Sequence, residues 1–177
     1  MVRPLEEVFS KVIASDAYPY GYGAVRDFLA EPYGPGTADW VITNLPFRLA
    51  EEYIHRSLRA ARTRVAILTR TQFVEGVGRF ERLFCGGPPA VFAPFTERVP
   101  MVRGRLDQSA STATSYAWFV WQKDQAQSVW QTKLIPPCRK QLEQESDYLP
   151  PAEPQRLNLQ EAEGFTDTAQ AAQLSLF

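Results

Sequence analysis

The sequence predicts an α/β fold, a mostly parallel sheet within residues 1–123 followed by a flexible tail over residues 124–177. Three observations predict it. Short β-branched and aromatic runs of strand length alternate with segments whose apolar residues recur at the helical period. One of these runs, TRVAILTRT, has the composition of an interior parallel strand. After Lys123 the chain turns rich in Gln, Glu and Pro with scattered apolar residues, too few to offset the entropy of ordering.

Taken in order, PLEEVF has helical spacing and leads into KVIASD, a short strand ending in an acid. DWVITN is the next strand, and RLAEEYIHRSLRAART after it repeats apolar residues at about the 3.6 period. TRVAILTRT follows, then a short helix FERLFC, a strand within PPAVFAPFTERV and a late aromatic strand within TSYAWFVWQK. Strand and helix in alternation imply a parallel sheet with helices on both faces. The spacing of Tyr116, Trp118, Phe119 and Trp121 is that of a strand, which assigns these aromatics to the sheet core. In the tail, one or two amphipathic turns around Val129 and Trp130 are expected to dock on the body.

Charge and cysteine usage narrow the classes. Residues 1–123 hold 15 Lys+Arg against 12 Asp+Glu, and residues 124–177 hold 4 against 8, so a +3 body carries a −4 tail. The body's excess is mostly arginine, whose fork suits phosphates and guanine edges. Two distant cysteines, Cys85 and Cys138, and one histidine, His55, provide neither a structural zinc site nor a disulfide framework. The opening MVRPLEEVFSKV carries acids where a secretory signal needs an apolar run, and no stretch approaches a membrane span. A cytoplasmic protein without metal or membrane partner is expected.

Chemistry concentrates at Asn44-Leu45-Pro46-Phe47, just after the strand DWVIT, at the carboxyl end where open α/β sheets place ligands. An exocyclic adenine amine is a poor nucleophile because its lone pair is delocalised into the ring. Two carbonyl acceptors taking its two N–H bonds favour a tetrahedral nitrogen able to attack a methyl group. The Asn44 side-chain oxygen and the Leu45 backbone carbonyl can be those acceptors. Pro46 holds Leu45 extended, and Phe47 offers a flat face to a flipped base.

Here the chain resembles the class I, S-adenosylmethionine-dependent amino-methyltransferases, whose signature is Asp, Asn or Ser followed by Pro-Pro and an aromatic. The resemblance covers about residues 1–122 and is greatest to phage and prophage DNA N6-adenine methyltransferases, through TNLPFRLAEEYI, LTRTQFVEGVGRFERLF and ERVPMVRGRLDQSASTATSYAWFVW. It implies a Rossmann-like sheet, mostly parallel with antiparallel late strands, and S-adenosylmethionine as cofactor. Leu45 stands where the family has proline. The carbonyl survives this change while the locked φ and rigid ring are lost, which predicts impaired activity.

The resemblance also implies a cofactor half. Asp16, ending KVIASD, matches the acid that accepts from the ribose hydroxyls. Asp27 and Phe28 match the element that holds the cofactor's adenine; each acid is otherwise a helix cap or a surface carboxylate. A glycine-rich turn is expected roughly 20 residues before the ribose-binding acid, and Asp16 leaves no room for it in the chain as written. Gly21 and Gly23 follow the acid and cannot replace it. The first strand and the methionine pocket are therefore expected to be missing, so the cofactor site is incomplete. A misplaced start, a natural truncation or a separate polypeptide would each account for this.

Two further segments point to partners. Arg98, Arg103 and Arg105 cluster in a glycine-containing loop on the motif's side of the sheet, suited to phosphates beside a flipped nucleotide of double-stranded DNA. Arg70, Arg79 and Arg82 are weaker candidates. The chain ends Gln173-Leu174-Ser175-Leu176-Phe177, which resembles the peptide that bacterial replication and repair proteins dock on the sliding clamp. Leu174, Leu176 and Phe177 can fill an apolar pocket while the Gln173 amide bonds at its rim. The expected function is methyl transfer to adenine N6 in DNA, coupled to the replication clamp. The rival is a catalytically inactive methyltransferase-like module that binds DNA, the clamp or both.

Overall fold

A computed structural model describes residues 1–20, 23–101, 109–123 and 129–148. The chain divides into a first unit, Met1–Pro32, and a second that begins at Tyr33.

The first unit opens with a short helix α1 (Val2–Glu6) and holds two strands, β1 (Ser15–Asp16) and β2 (Ala24–Val25), paired in parallel. KVIASD thus yields two ladder residues rather than a full strand, with Ile13 and Val25 exposed. Gly23 makes the pairing possible. Its φ is +78°, and a Cβ there would lie 2.5 Å from the Ala14 carbonyl oxygen, so only glycine lets the backbones approach.

The second unit carries a five-stranded mixed sheet: β3 (Ala38–Asn44), β4 (Ala61–Arg70), β5 (Val91–Pro94), β6 (Tyr116–Gln122) and β7 (Gln131–Thr132). The order is β3-β4-β6-β5-β7. β3 pairs parallel to β4 and β5 parallel to β7, while β6 is antiparallel to both β4 and β5. Four strands therefore share one direction and β6 alone is reversed. A parallel sheet was expected for the body with antiparallel late strands; the reversal falls on the aromatic strand, filling the position between β4 and β5.

Between β3 and β4 runs α2 (Ala50–Ala60), whose buried residues Ala50, Ile54, Ser57 and Ala60 form a stripe at helical spacing. Glu51 and Glu52 in its first turn complement the positive end of the helix dipole. After β4 come a 3₁₀ turn (Thr71–Val74), the short α3 (Val77–Arg79) and a π-type turn (Phe80–Phe84). The core gathers on one face of the sheet: Val65 and Ile67 of β4, Ala117, Phe119 and Trp121 of β6, then Ile54, Phe73, Leu83 and Phe84 from the covering segments. The alternation of β6 bears out the sheet-core assignment for Phe119, which is fully buried, and for Trp121; Tyr116 is buried on the opposite face, where Trp118 is only half-buried.

Residues 129–148, grouped with the tail by composition, contribute structure of their own. Trp130 stacks on Phe92 at 5.9 Å and meets Phe84 edge-on at 5.7 Å. Gln131, Lys133 and Ile135 donate backbone hydrogen bonds to Ala90, Phe92 and Pro94 along β5. The Glu97 carboxylate then accepts from the N–H groups of Cys138 and Arg139, both at 2.7 Å, at the start of α4 (Arg139–Leu142). No helix among the described residues is long and apolar enough to cross a membrane.

Candidate functional site

Because β6 opposes its neighbours, the carboxyl ends of β3, β4 and β5 meet the amino end of β6 at one end of the sheet. The ladder puts Asn44 opposite Leu68, and Arg70 opposite Tyr116. Residues far apart in sequence, from 44, 70, 98 and 115, are thereby brought together.

Asn44 is the last residue of β3 and is exposed. Its carboxamide nitrogen donates to the Met101 sulfur at 3.8 Å, a weak acceptor. The carboxamide oxygen has no donor among the described residues, so its acceptor capacity is intact. Leu45 is 2% exposed and belongs to the core cluster. Its side chain anchors the turn, and no turn or loop N–H among the described residues takes its carbonyl. Pro46, at φ −63° and ψ 121°, is extended, after which Phe47–Leu49 form a 3₁₀ turn that runs directly into α2. The motif is thus held by a strand on one side and a helix on the other.

Phe47 lies in an aromatic and cationic surround. The Tyr116 ring is 6.4 Å away and tilted by 32°, and the Arg70 guanidinium sits over the Phe47 ring, 4.8 Å from its centroid. Beyond Phe47 opens a cleft of about 290 Å³, walled also by Leu49, Glu51, Phe73 and Arg79. That volume is close to the lower end for small-molecule pockets, about 300 Å³. Of its two acids, Glu51 and Glu52, Glu51 is held by Arg82 through a paired contact of 2.8 and 3.0 Å, and Arg82 with Arg79 keeps the Glu51 carboxyl below its ordinary pKa.

Arg98, expected at DNA, donates from one nitrogen to the Ala113 carbonyl and the Ser115 hydroxyl. Ser115 in turn accepts the Thr71 N–H through its carbonyl at 2.9 Å. The contact braces the base of the loop between β5 and β6, and the other guanidinium nitrogens have no partner among the described residues. Arg103 and Arg105 lie outside the described residues, as do Gln173, Leu174, Ser175, Leu176 and Phe177.

The residues expected at the cofactor belong to the first unit. Asp16 accepts the Tyr18 N–H at 2.9 Å through one carboxylate oxygen. Although exposed at the surface, its carboxyl is crowded by the local chain, and this desolvation raises its pKa against the opposing backbone hydrogen bonds. Asp27 accepts the Leu29 N–H at 2.9 Å and closes a turn with Ala30 and Glu31. Phe28 beside it is half-buried. Each acid therefore has a local capping role. No group of three or more His, Cys, Asp or Glu among the described residues is arranged to hold a metal.

Sequence reasoning assigned Tyr116 to the core alone and ranked Arg70 low; strand register is what brings both to Phe47. The available signal was positional, since Arg70 directly follows the buried run of β4 at its carboxyl end. Comparison of the chain with protein-family models, with curated proteins and with solved structures found no match.

Proposed function

We propose that the chain is a DNA adenine N6-methyltransferase with a Rossmann-like sheet, using S-adenosylmethionine. The observation that carries the reading is the Asn44-Leu45-Pro46-Phe47 turn at the carboxyl end of a parallel strand, where neither the Asn44 side-chain oxygen nor the Leu45 carbonyl has a donor among the described residues. These two acceptors draw the adenine amine's hydrogens and turn its lone pair outward. Phe47 stacks an extruded base, and Arg98 contacts phosphate with Arg103 and Arg105. S-adenosylmethionine supplies the electrophilic methyl group when bound. Asp16 and Asp27, beside Phe28, would hold its ribose and adenine ends; no residue of this chain is assigned to its methionine end. Gln173–Phe177 dock on the bacterial sliding clamp, holding the enzyme on newly replicated DNA.

Leu45 favours a second reading, a catalytically inactive module that binds DNA and the clamp. Calorimetric titration of S-adenosylmethionine into the chain separates the two. Saturable binding that weakens in Asp16→Ala supports the enzyme; absence of binding by a folded chain that still binds the clamp leaves the module.

A further inference from the structure

Arginines pack on aromatic rings three times among the described residues of the second unit, and two of these arginines, Arg79 and Arg70, differ in what else they touch. Arg79 lies 4.4 Å from the Phe73 ring centroid, donates to the Phe73 carbonyl at 2.9 Å and has the Glu51 carboxylate 3.9 Å away. Its charge is answered inside the protein. Arg70 has the same kind of ring contact, over Phe47, but no carbonyl or carboxylate partner among the described residues; its Nε, like that of Arg79, is shut off from solvent without a hydrogen-bond acceptor. Withdrawing a guanidinium N–H from water without pairing it is costly. A second cation stands nearby: Arg98 reaches Ser115, which is bonded to Thr71, the residue after Arg70. The adjacent acid, Glu97, is turned to the N–H groups of Cys138 and Arg139 instead. This end of the sheet therefore holds two guanidinium charges with no carboxylate among the described residues bonded to either.

We infer that Arg70 is a phosphate-binding residue that grips the DNA backbone at the nucleotide stacked on Phe47, so that one side chain both backs the stacking ring and holds the strand. The inference rests on the nucleic-acid reading above and adds a residue to it. A guanidinium offers a phosphate two parallel donors, and no carbonyl or carboxylate among the described residues competes for those of Arg70.

The test is equilibrium binding of the full chain to a short fluorescein-labelled duplex, repeated between about 50 and 200 mM salt. Arg70→Gln is expected to weaken binding roughly tenfold at low salt and to reduce the slope of log affinity against log salt by about 0.9, the loss of one phosphate contact. Arg70→Lys keeps the slope. Arg62→Gln, at the opposite end of β4 and ion-paired with Asp39, changes neither. Wild-type binding with an unchanged slope in Arg70→Gln would overturn the inference and reduce Arg70 to a support for the ring, visible as lost thermal stability alone. Failure of the wild-type chain to bind DNA would remove the nucleic-acid reading itself, and the inference with it.

Discussion

Truncating Leu45 to alanine separates the two jobs assigned to this residue. Its side chain is 2% exposed and sits in the cluster with Ala50, Ile54 and the β4 and β6 aliphatic and aromatic residues. Three carbons are removed, each worth about 0.8 kcal/mol of burial, and the cavity left behind adds to this. The sum, about 3 kcal/mol, falls within the range for buried Leu→Ala changes, about 2–5 kcal/mol. All four tryptophans, Trp40, Trp118, Trp121 and Trp130, lie in the second unit, so their fluorescence in urea follows its unfolding. The midpoint should fall by an amount equivalent to about 3 kcal/mol, with a thermal shift of about 10 °C. Leu45→Met, which conserves volume, should cost under about 1.5 kcal/mol. Below the melting temperature both variants keep the main-chain carbonyl, so methyl transfer should survive in both. A loss under about 1 kcal/mol for Leu45→Ala would refute the placement of this side chain in the core, and a folded Leu45→Ala chain without activity would refute the division of labour.

Other perturbations follow from the same packing. Trp130→Ala removes two aromatic pairs, with Phe92 and Phe84, each worth about 0.5–1.5 kcal/mol beyond burial; urea unfolding should show a loss of about 2–3 kcal/mol. Glu97 has its carboxyl held below the ordinary glutamate value by the N–H groups of Cys138 and Arg139. Its stabilisation is therefore present above the unfolded value near 4.5 and lost as pH falls through the lower folded one. The stability difference between wild type and Glu97→Gln, measured in urea at stepped pH, should shrink across that interval. Asp16 runs the other way: with its pKa raised, its relative contribution is present at low pH and lost as pH rises through the folded value. Asp16→Asn, which keeps an acceptor for the Tyr18 N–H, should leave stability at neutral pH equal or slightly higher while weakening cofactor binding.

The residues differ in how openly they declare their positions. β4 and α2 were legible because VAILT is continuously apolar and Ala50, Ile54, Ser57 and Ala60 repeat at helical spacing. The motif was legible because its chemistry is local: four consecutive residues at a strand end. The insertion of β6 between β4 and β5 was not, since periodicity reports which face of a strand is buried and says nothing of its neighbours. For the same reason Arg70 and Tyr116 met Phe47 only through register. β7 escaped because its binding is by backbone hydrogen bonds, which Gln131 and Thr132 supply as well as any apolar residue. In the first unit KVIASD has strand composition, yet only Ser15 and Asp16 pair, and Ile13 stays exposed; strand propensity fits a half-buried surface and does not by itself supply one.

Asn44 and its turn are proposed to direct methyl transfer to an adenine amine. The most direct test incubates the purified chain with unmethylated double-stranded DNA and methyl-labelled S-adenosylmethionine, then digests the DNA and identifies the labelled base, with Asn44→Ala in parallel. Label on adenine N6 that disappears in the folded Asn44→Ala variant is the predicted result. No label from a folded wild-type chain that binds S-adenosylmethionine, or label undiminished in Asn44→Ala, would contradict it.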